Sequence, residues 1–524
     1  MNPGTWKLGS DLVDDRPTFL AHALAMSLRY GPGPWPEEEA HHLPDDEPPP
    51  DDGKPIMTSV VWDGIASHHM RAESDAERVT EISDLLTRLV SDQPRHADLV
   101  QLHDRLAATS AIDVADDLVA QIRQRRLPKD RIGQIGRHLA EQGTRRDIVK
   151  IGIVLLGAAG DEHDRDLLLL LGTLEEFTLY AVIALRRTQP NGQRAVYELA
   201  RRVRNWGRIH AVERLKGCDD PEIKGWLLRE GFRNGILNEY LAYIAATTGD
   251  LYSALLEPDV DDALLDGAAA ILAALAEEHG PAKDMIDYAD ALPAMSRFAD
   301  LLATRAATLR RLNNLIVIAT FLRKPGEKAP WPVGEIARLR GRYDGILADA
   351  RWRDLVLDHL ADPHRPDFNR GLWAAERLRL PVVPQVMAYL EIEPLDEFAW
   401  YHAIRLTTSE DVHRLCGLAE RLLPLRNLAN GPGDHYGFGP GCEPDRALES
   451  VVSGLNTKPG AGLPLIDVAL RNRVVRIRRA AMSALTAWPP DAVPEEALAW
   501  VRAASTVEPN EEIRREMTAF LEHR

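Results

Sequence analysis

The sequence predicts an all-α fold, a superhelix of antiparallel helix pairs with irregular Pro/Gly-rich insertions, and three observations carry that expectation. First, five stretches beginning at residues 147, 177, 207, 237 and 267 read DIVKIGIVL, FTLYAVIAL, GRIHAVERL, LNEYLAYIA and GAAAILAAL, and they stack without a gap at a spacing of 30 residues. A fixed period of that length with one helical segment per repeat marks a solenoid, in which each unit buries its apolar side against its neighbours. Second, Ile151, Ala181, Ala211, Leu241 and Ile271 share one position of the register, and Val154, Ala184, Ile244 and Ala274 share another three residues on. That is the spacing of one helical face, interrupted only by Arg214. Third, aromatic residues make up only 6% of the 524 residues, while Ala and Leu dominate the periodic segments, as close helix pairs favour.

Taken in order, residues 1–58 hold a short amphipathic stretch, Arg16 to Tyr30, followed by a linker, GPGPWPEEEAHHLPDDEPPPDDGKP. Its prolines and the acidic run Asp45 to Asp52 remove the backbone donors and the apolar area that a packed element needs. Residues 59–292 form the repeat region. It opens with a helix from about Val60 to His69 and a second from Ala76 to Val90, in which Val79, Ile82, Leu85, Leu86 and Leu89 lie on one face. Turns at Gly160-Asp161, Pro190-Asn191-Gly192, Asp219-Asp220-Pro221 and Gly249-Asp250 separate the later helices. Asp220-Pro221 has the form of an N-cap before a first-turn proline, and Asp250 is placed to accept from the free amides of the next helix. Residues 293–426 stay helix-rich but lose the register, with breaks at Pro325 to Pro332 and Pro363 to Pro366. Residues 427–462 read as a Gly/Pro-rich loop insertion, and 463–524 as a last repeat with a polar cap from Glu508 to Arg524.

The formal net charge of -17 opposes general attraction to nucleic acid or anionic lipid. It is unevenly spread. Residues 121–150 carry nine Lys/Arg against three Asp/Glu, and residues 186–216 carry nine against two, so a basic patch for nucleic acid stays open as an expectation. Cys218, Cys416 and Cys442 are far apart and contain no C-x-x-C pair, which encodes neither a disulfide framework nor a structural zinc site and points to a reducing compartment. No apolar run is long enough to span a membrane and no leader pattern opens the chain. The expectation is a cytoplasmic protein without membrane association.

Two resemblances add to this reading. Residues Ile477-Arg-Arg-Ala-Ala-Met-Ser-Ala-Leu485 follow a spacing that resembles HEAT repeats, and residues 130–292 are similar to them in their Ala and Leu placement. The segment Asn205-Trp206-Gly207-Arg208-Ile209-His210-Ala211-Val212-Glu213-Arg214-Leu215, with Trp226 to Asn234 and Glu239-Tyr240-Leu-Ala-Tyr243, resembles a bacterial family of unsettled role in which some members carry the label limonene hydroxylase. That label implies an oxygen-handling cofactor, which side chains alone do not replace. The residues do not encode one. Phe438-Gly-Pro-Gly-Cys442 sets Phe and Cys too close for a haem-thiolate loop and lacks its Arg, and no G-x-G-x-x-G opens a strand-helix unit. His41-His42 with Asp45-Asp46, and His68-His69, supply the atoms of a non-haem iron site but sit in or beside the linker. The sequence therefore predicts neither a cofactor nor a metal site.

What the repeats do offer is a ladder. The fourth position of the register reads Lys150, Tyr180, His210, Tyr240 and Ala270, with Trp206, Arg208, Arg214, Asn238 and Glu239 close by. On a concave wall with helices about 8–10 Å apart, such side chains would grip one extended ligand; half-buried packing of the same rings is the alternative. The leading expectation is a non-enzymatic scaffold that binds a protein or peptide on this face. A nucleic-acid-binding protein similar to HEAT-like DNA glycosylases, and the oxygenase, are the alternatives. Glu175, Glu176 and Glu213 are candidate acid-base groups if desolvated, and Asp434, His435, Tyr436 and Cys442 are loop residues for which no orienting partner is assigned.

Overall fold

The structure, a computed structural model, describes residues 6, 8, 16–36, 39, 42–47, 58–69, 75–91, 93–278, 280–325 and 329–524. Among them are 29 α-helices and no strand; the single β-bridge joins His435 to Val474. The fold is all-α, and no described helix is long and apolar enough to cross a membrane. Residues 37, 38, 40, 41 and 48–55 of the expected linker lie outside the described residues.

The chain divides into two compact units, one drawn mainly from the residues up to Leu301 and the other mainly from Leu302–Lys324 and Trp331–Arg524. The first begins with α1 (Phe19–Tyr30), α2 (Ser59–His69), α3 (Ala76–Ser91), α4 (His96–Ala107) and α5 (Ala111–Gln124). The five stretches in register then fall on five helices, α7 (Arg146–Ala159), α9 (Glu175–Thr188), α11 (Asn205–Glu213), α13 (Glu239–Thr248) and α15 (Asp262–Leu275). Each of these packs on the next, forming one row. Between them run α6 (Lys129–Gln142), α8 (Arg165–Gly172), α10 (Gly192–Ala200), α12 (Pro221–Trp226), continued by a π turn at Leu227–Gly231, and α14 (Leu251–Leu256). α16 (Ala291–Leu302) follows.

The local signals explain the spacing. Asp220 accepts from the amides of Glu222 and Ile223 with Pro221 in the first turn, as its sequence context predicts. Asp250 does not cap α14: it sits in the left-handed region at φ 59°, and its carboxylate accepts instead from the Ser253 hydroxyl at 2.9 Å. Gly267 lets α15 approach the π turn closely, since a Cβ there would stand 1.9 Å from the Leu228 carbonyl oxygen.

The second unit holds α17 (Leu309–Arg323), α18 (Val333–Leu347), α19 (Ala350–Leu360), α20 (Phe368–Arg377), α21 (Val383–Leu390), α22 (Glu397–Leu406), α23 (Asp411–Leu422), the single turn α24 (Leu425–Leu428), α25 (Glu443–Gly454), α26 (Leu463–Leu470), α27 (Val475–Ala487), α28 (Glu495–Val507) and α29 (Glu511–Glu522). The loop insertion expected over 427–462 is shorter than its composition suggests. Pro444 sits in the first turn of α25, where a proline starts a helix rather than breaking one.

The irregular stretch before α25 is fastened by buried polar groups. Asn472 donates to the Leu428 carbonyl at 2.8 Å and to Asp445 at 2.9 Å. Arg478, fully buried, donates two 2.7 Å bonds to the equally buried Glu508 and a third to the Gly433 carbonyl, also at 2.7 Å. Cys442 is buried and donates to the Phe438 carbonyl at 3.4 Å. Removing one partner of such a buried pair leaves an uncompensated charge. Arg478→Met is expected to destabilise the protein by about 3–5 kcal/mol, measured as a shift of the urea unfolding midpoint. A loss below about 1 kcal/mol, the size of a surface ion pair, would show that Arg478 does not fasten the loop.

Candidate functional site

The thirty-residue register does bring Lys150, Tyr180, His210 and Tyr240 onto one surface of the first unit, but that surface is covered. Lys150 is 1% exposed, Tyr180 4%, His210 1% and Tyr240 8%. Trp206 and Arg208 are also buried, and Arg214, Asn238 and Glu239 are half-buried. The cover is α2. Instead of an open groove, the wall holds a helix of its own chain.

The complement can be followed along α2. Ser59 and Asp63 are four residues apart on one face, and Gly64 and His68 are four apart on the adjoining one. The Ser59 hydroxyl donates to Glu176 at 2.7 Å, and Asp63 accepts from the Lys150 ammonium at 2.8 Å and from the Tyr180 hydroxyl at 3.0 Å. Lys150 also reaches Glu176 at 2.5 Å. Arg146 joins Ser59 at 2.9 Å and Asp45 at 2.6 Å. Part of the acidic run expected to be linker is thus bound to the first turn of α7, where Asp45 also accepts from the Arg146 amide at 2.8 Å.

The electrostatics follow from burial. Desolvation alone would discharge Lys150, but the carboxylates of Glu176, Asp63 and Asp147 outweigh it and hold the ammonium protonated above its ordinary range. Burial raises Asp63 against the pull of Lys150. Tyr180 is raised well above its ordinary value, first by burial and then by Asp63, which keeps its hydroxyl a donor. Arg208, held by a 3.0 Å bond to the Val203 carbonyl and lying over the Trp226 ring, is lowered by burial to about 10.

At the other end of α2, His68 lies among rings. Its centroid is 5.8 Å from His210 in a stacked arrangement, 5.7 Å from Trp206 and 5.3 Å from Tyr240. Gly64 permits this approach, because a Cβ there would stand 2.3 Å from the Trp206 indole. His68 Nδ1 is 3.5 Å from Glu213 Oε1, while Glu213 Oε2 accepts from Arg214 at 2.9 Å. Burial, with smaller contributions from Arg214 and His68, drives His210 well below the ordinary histidine range, so its imidazole is neutral; its Nδ1 has no hydrogen-bond partner. Burial likewise raises Glu213. Among the described residues, His68, His210 and Glu213 form the group of potential metal ligands with donor atoms within 4.8 Å of one another. A cavity of about 400 Å³ lies beside α2, lined by Ala66, Ser67, Ile153, Leu179 and Arg214 among others.

A different surface is open. In the second unit a groove of about 890 Å³ runs between α17, the residues leading into α20, the end of α21 and the start of α22. Asn313, Asn314 and Val317 project from one face of α17, Asn369, Arg370 and Trp373 from α20, and Phe398 from α22. Asn313 Oδ1, Asn314 Nδ2 and Asn369 Oδ1 are buried polar atoms without a hydrogen-bond partner, as is Arg370 Nε, which lies 3.8 Å from Asp367. Ile392 and Phe398, each 40% exposed, give the groove an apolar side. These residues lie outside the thirty-residue register, and their sequence signal is the paired amides in the apolar run LRRLNNLIVIATFLR.

Two substitutions test the cover. Lys150→Met strips the ammonium from the buried Asp63 and Glu176 and should cost about 3–5 kcal/mol, read from denaturant unfolding, with faster amide exchange in α2. Gly64→Ala adds a methyl against Trp206 and should cost about 1–3 kcal/mol, with quicker proteolytic cleavage within 59–69. Unchanged protection of α2 in both variants would contradict the described contacts. No family model, curated protein or solved structure matches the chain.

Proposed function

We propose that the chain is a HEAT-like binding protein that takes an extended peptide segment of a partner protein into the groove of its second unit. The observation that carries this reading is the set of unmatched buried amide atoms of Asn313, Asn314 and Asn369 beside the exposed side chains of Ile392 and Phe398. A buried donor or acceptor without a partner is costly. A peptide backbone offers the complement, an N–H for each Oδ1 and a C=O for Asn314 Nδ2. An apolar side chain of the same peptide would lie on Phe398 and Trp373, as aromatic anchors do in recognition sites. The groove's volume falls in the range of pockets that enclose a ligand of this size.

The ladder face of the first unit supports the same class of activity by example, since it already holds a helix through Lys150, Tyr180 and Trp206. The basic windows lend less to nucleic acid than their composition suggests. Arg125, Arg137 and Arg146 pair with Asp84, Asp164 and Asp45, and Arg194, Arg202 and Arg214 pair with Glu222, Glu198 and Glu213. Each pair leaves less charge for a phosphate.

Selection from a random peptide display library on the full chain is expected to give extended ligands carrying one apolar anchor. Asn314→Ala and Phe398→Ala should each weaken a selected peptide about tenfold, equivalent to about 1.4 kcal/mol, in a fluorescence anisotropy titration. Peptides that bind wild type and the double variant equally would reject the groove as the site.

A further inference from the structure

We propose that His68, His210 and Glu213 bind a single divalent transition-metal ion of the zinc class and leave at least one coordination position open. The inference does not depend on the peptide groove, which lies in the other unit.

Geometry is the first support. His210 and Glu213 are three residues apart on one face of α11, and α2 brings His68 to them from far along the chain. The three donor atoms lie within 4.8 Å of one another, and the His68–Glu213 pair is at 3.5 Å. Ligands bound at about 2.0–2.2 Å to one ion stand roughly 3–4 Å apart. The His68–Glu213 pair already meets that spacing, and pairs as far apart as 4.8 Å reach it by side-chain movement of about 1 Å.

Donor chemistry is the second. Two imidazoles and a carboxylate suit zinc and its neighbours in the first transition row, whereas magnesium and calcium prefer all-oxygen sites. Three protein ligands, rather than four, are the arrangement that keeps a position for water or a small ligand.

The surroundings are the third. His210 is 1% exposed and its Nδ1 has no hydrogen-bond partner, a buried ring nitrogen that coordination would satisfy. Arg214 holds Glu213 Oε2 at 2.9 Å and leaves Oε1 facing His68, the kind of outer contact that orients a metal carboxylate. Trp206 and Tyr240 wall the group, with ring centroids 5.2 Å apart, and limit competition from water. The cavity beside α2 includes Ser67 and Arg214, the chain neighbours of two of the three ligands.

Binding would require α2 to be docked, because His68 belongs to it. Metal and helix docking are therefore linked: an ion that binds only the docked state stabilises that state. Untagged full-length chain, stripped with chelator, is titrated with Zn2+ and with Co2+. The expected results are one equivalent bound, visible d–d bands for the Co2+ form, and slower proteolysis within 59–69 on adding Zn2+. His68→Ala and Glu213→Gln should each lower the affinity at least tenfold, with circular dichroism unchanged, while His163→Ala, an exposed histidine elsewhere, should bind as wild type does. Glu213→Gln keeps the test valid if His210→Ala fails to fold. Substoichiometric binding at micromolar ion, or affinity unaltered in both His68→Ala and Glu213→Gln, would overturn the assignment.

Discussion

A buried ammonium sets the terms for the first unit. Lys150 stands in the row of repeat helices where solvent does not reach it, so its charge has to be matched by carboxylates at hydrogen-bond distance. Glu176 comes from the next helix of the row, and Asp63 from α2. Tyr180 completes the arrangement by donating to the same Asp63 oxygen. With Asp63 held there, the direction of α2 is fixed, Gly64 meets Trp206, and His68 arrives one turn later against His210 and Tyr240.

The wall that accepts α2 changes in character along its length. Its fourth-position residues run from an ammonium through phenol, imidazole and a second phenol to the methyl of Ala270. The helix presents hydroxyl, carboxylate, a bare backbone and an imidazole in matching order, at Ser59, Asp63, Gly64 and His68. A solenoid can do this because neighbouring repeats place equivalent positions side by side, so that a row of different residues becomes a linear code for one ligand. Here the ligand is covalently attached, and the entropy of bringing it in is only that of closing a loop. Such a wall is a poor candidate for exchange with an outside partner, since displacement would strand Lys150 and Glu176 without their complement.

The second unit solves a different problem. Its register is lost, and beside an apolar core the irregular stretch before α25 is ordered by buried polar hubs, chiefly Arg478 with Glu508 and Asn472 with Asp445. These satisfy the backbone carbonyls of Leu428 and Gly433 in a stretch too rich in glycine and proline to pack by apolar contact. The residues that keep an unsatisfied amide atom, Asn313, Asn314 and Asn369, line an open groove. That contrast between matched and unmatched amides within one unit is the physical basis for the peptide groove proposed there. The metal assignment departs from the sequence expectation for a related reason: the donors of His68, His210 and Glu213 are near one another and His210 Nδ1 is unmatched, a condition visible only once α2 is in place.

The sequence by itself determined the helical class, the five helices at a spacing of 30 residues, and the turns that part them. Such features arise from short-range causes: apolar periodicity, an Asp-Pro cap such as Asp220-Pro221, and the breaks at proline. It also placed α2 within a residue of its ends and put Lys150, Tyr180, His210 and Tyr240 on one surface. What the sequence could not determine was whether that surface is open, because burial depends on which distant segment lies across it. Asp63 and Lys150 are 87 positions apart, and nothing in either neighbourhood specifies the other. The tertiary structure alone decided that the wall is covered, that Asp45 is bound rather than part of a free linker, and that the unmatched amides lie elsewhere. A local pattern fixes the face of a helix, while the partner of that face is chosen by charge balance and packing over the whole unit.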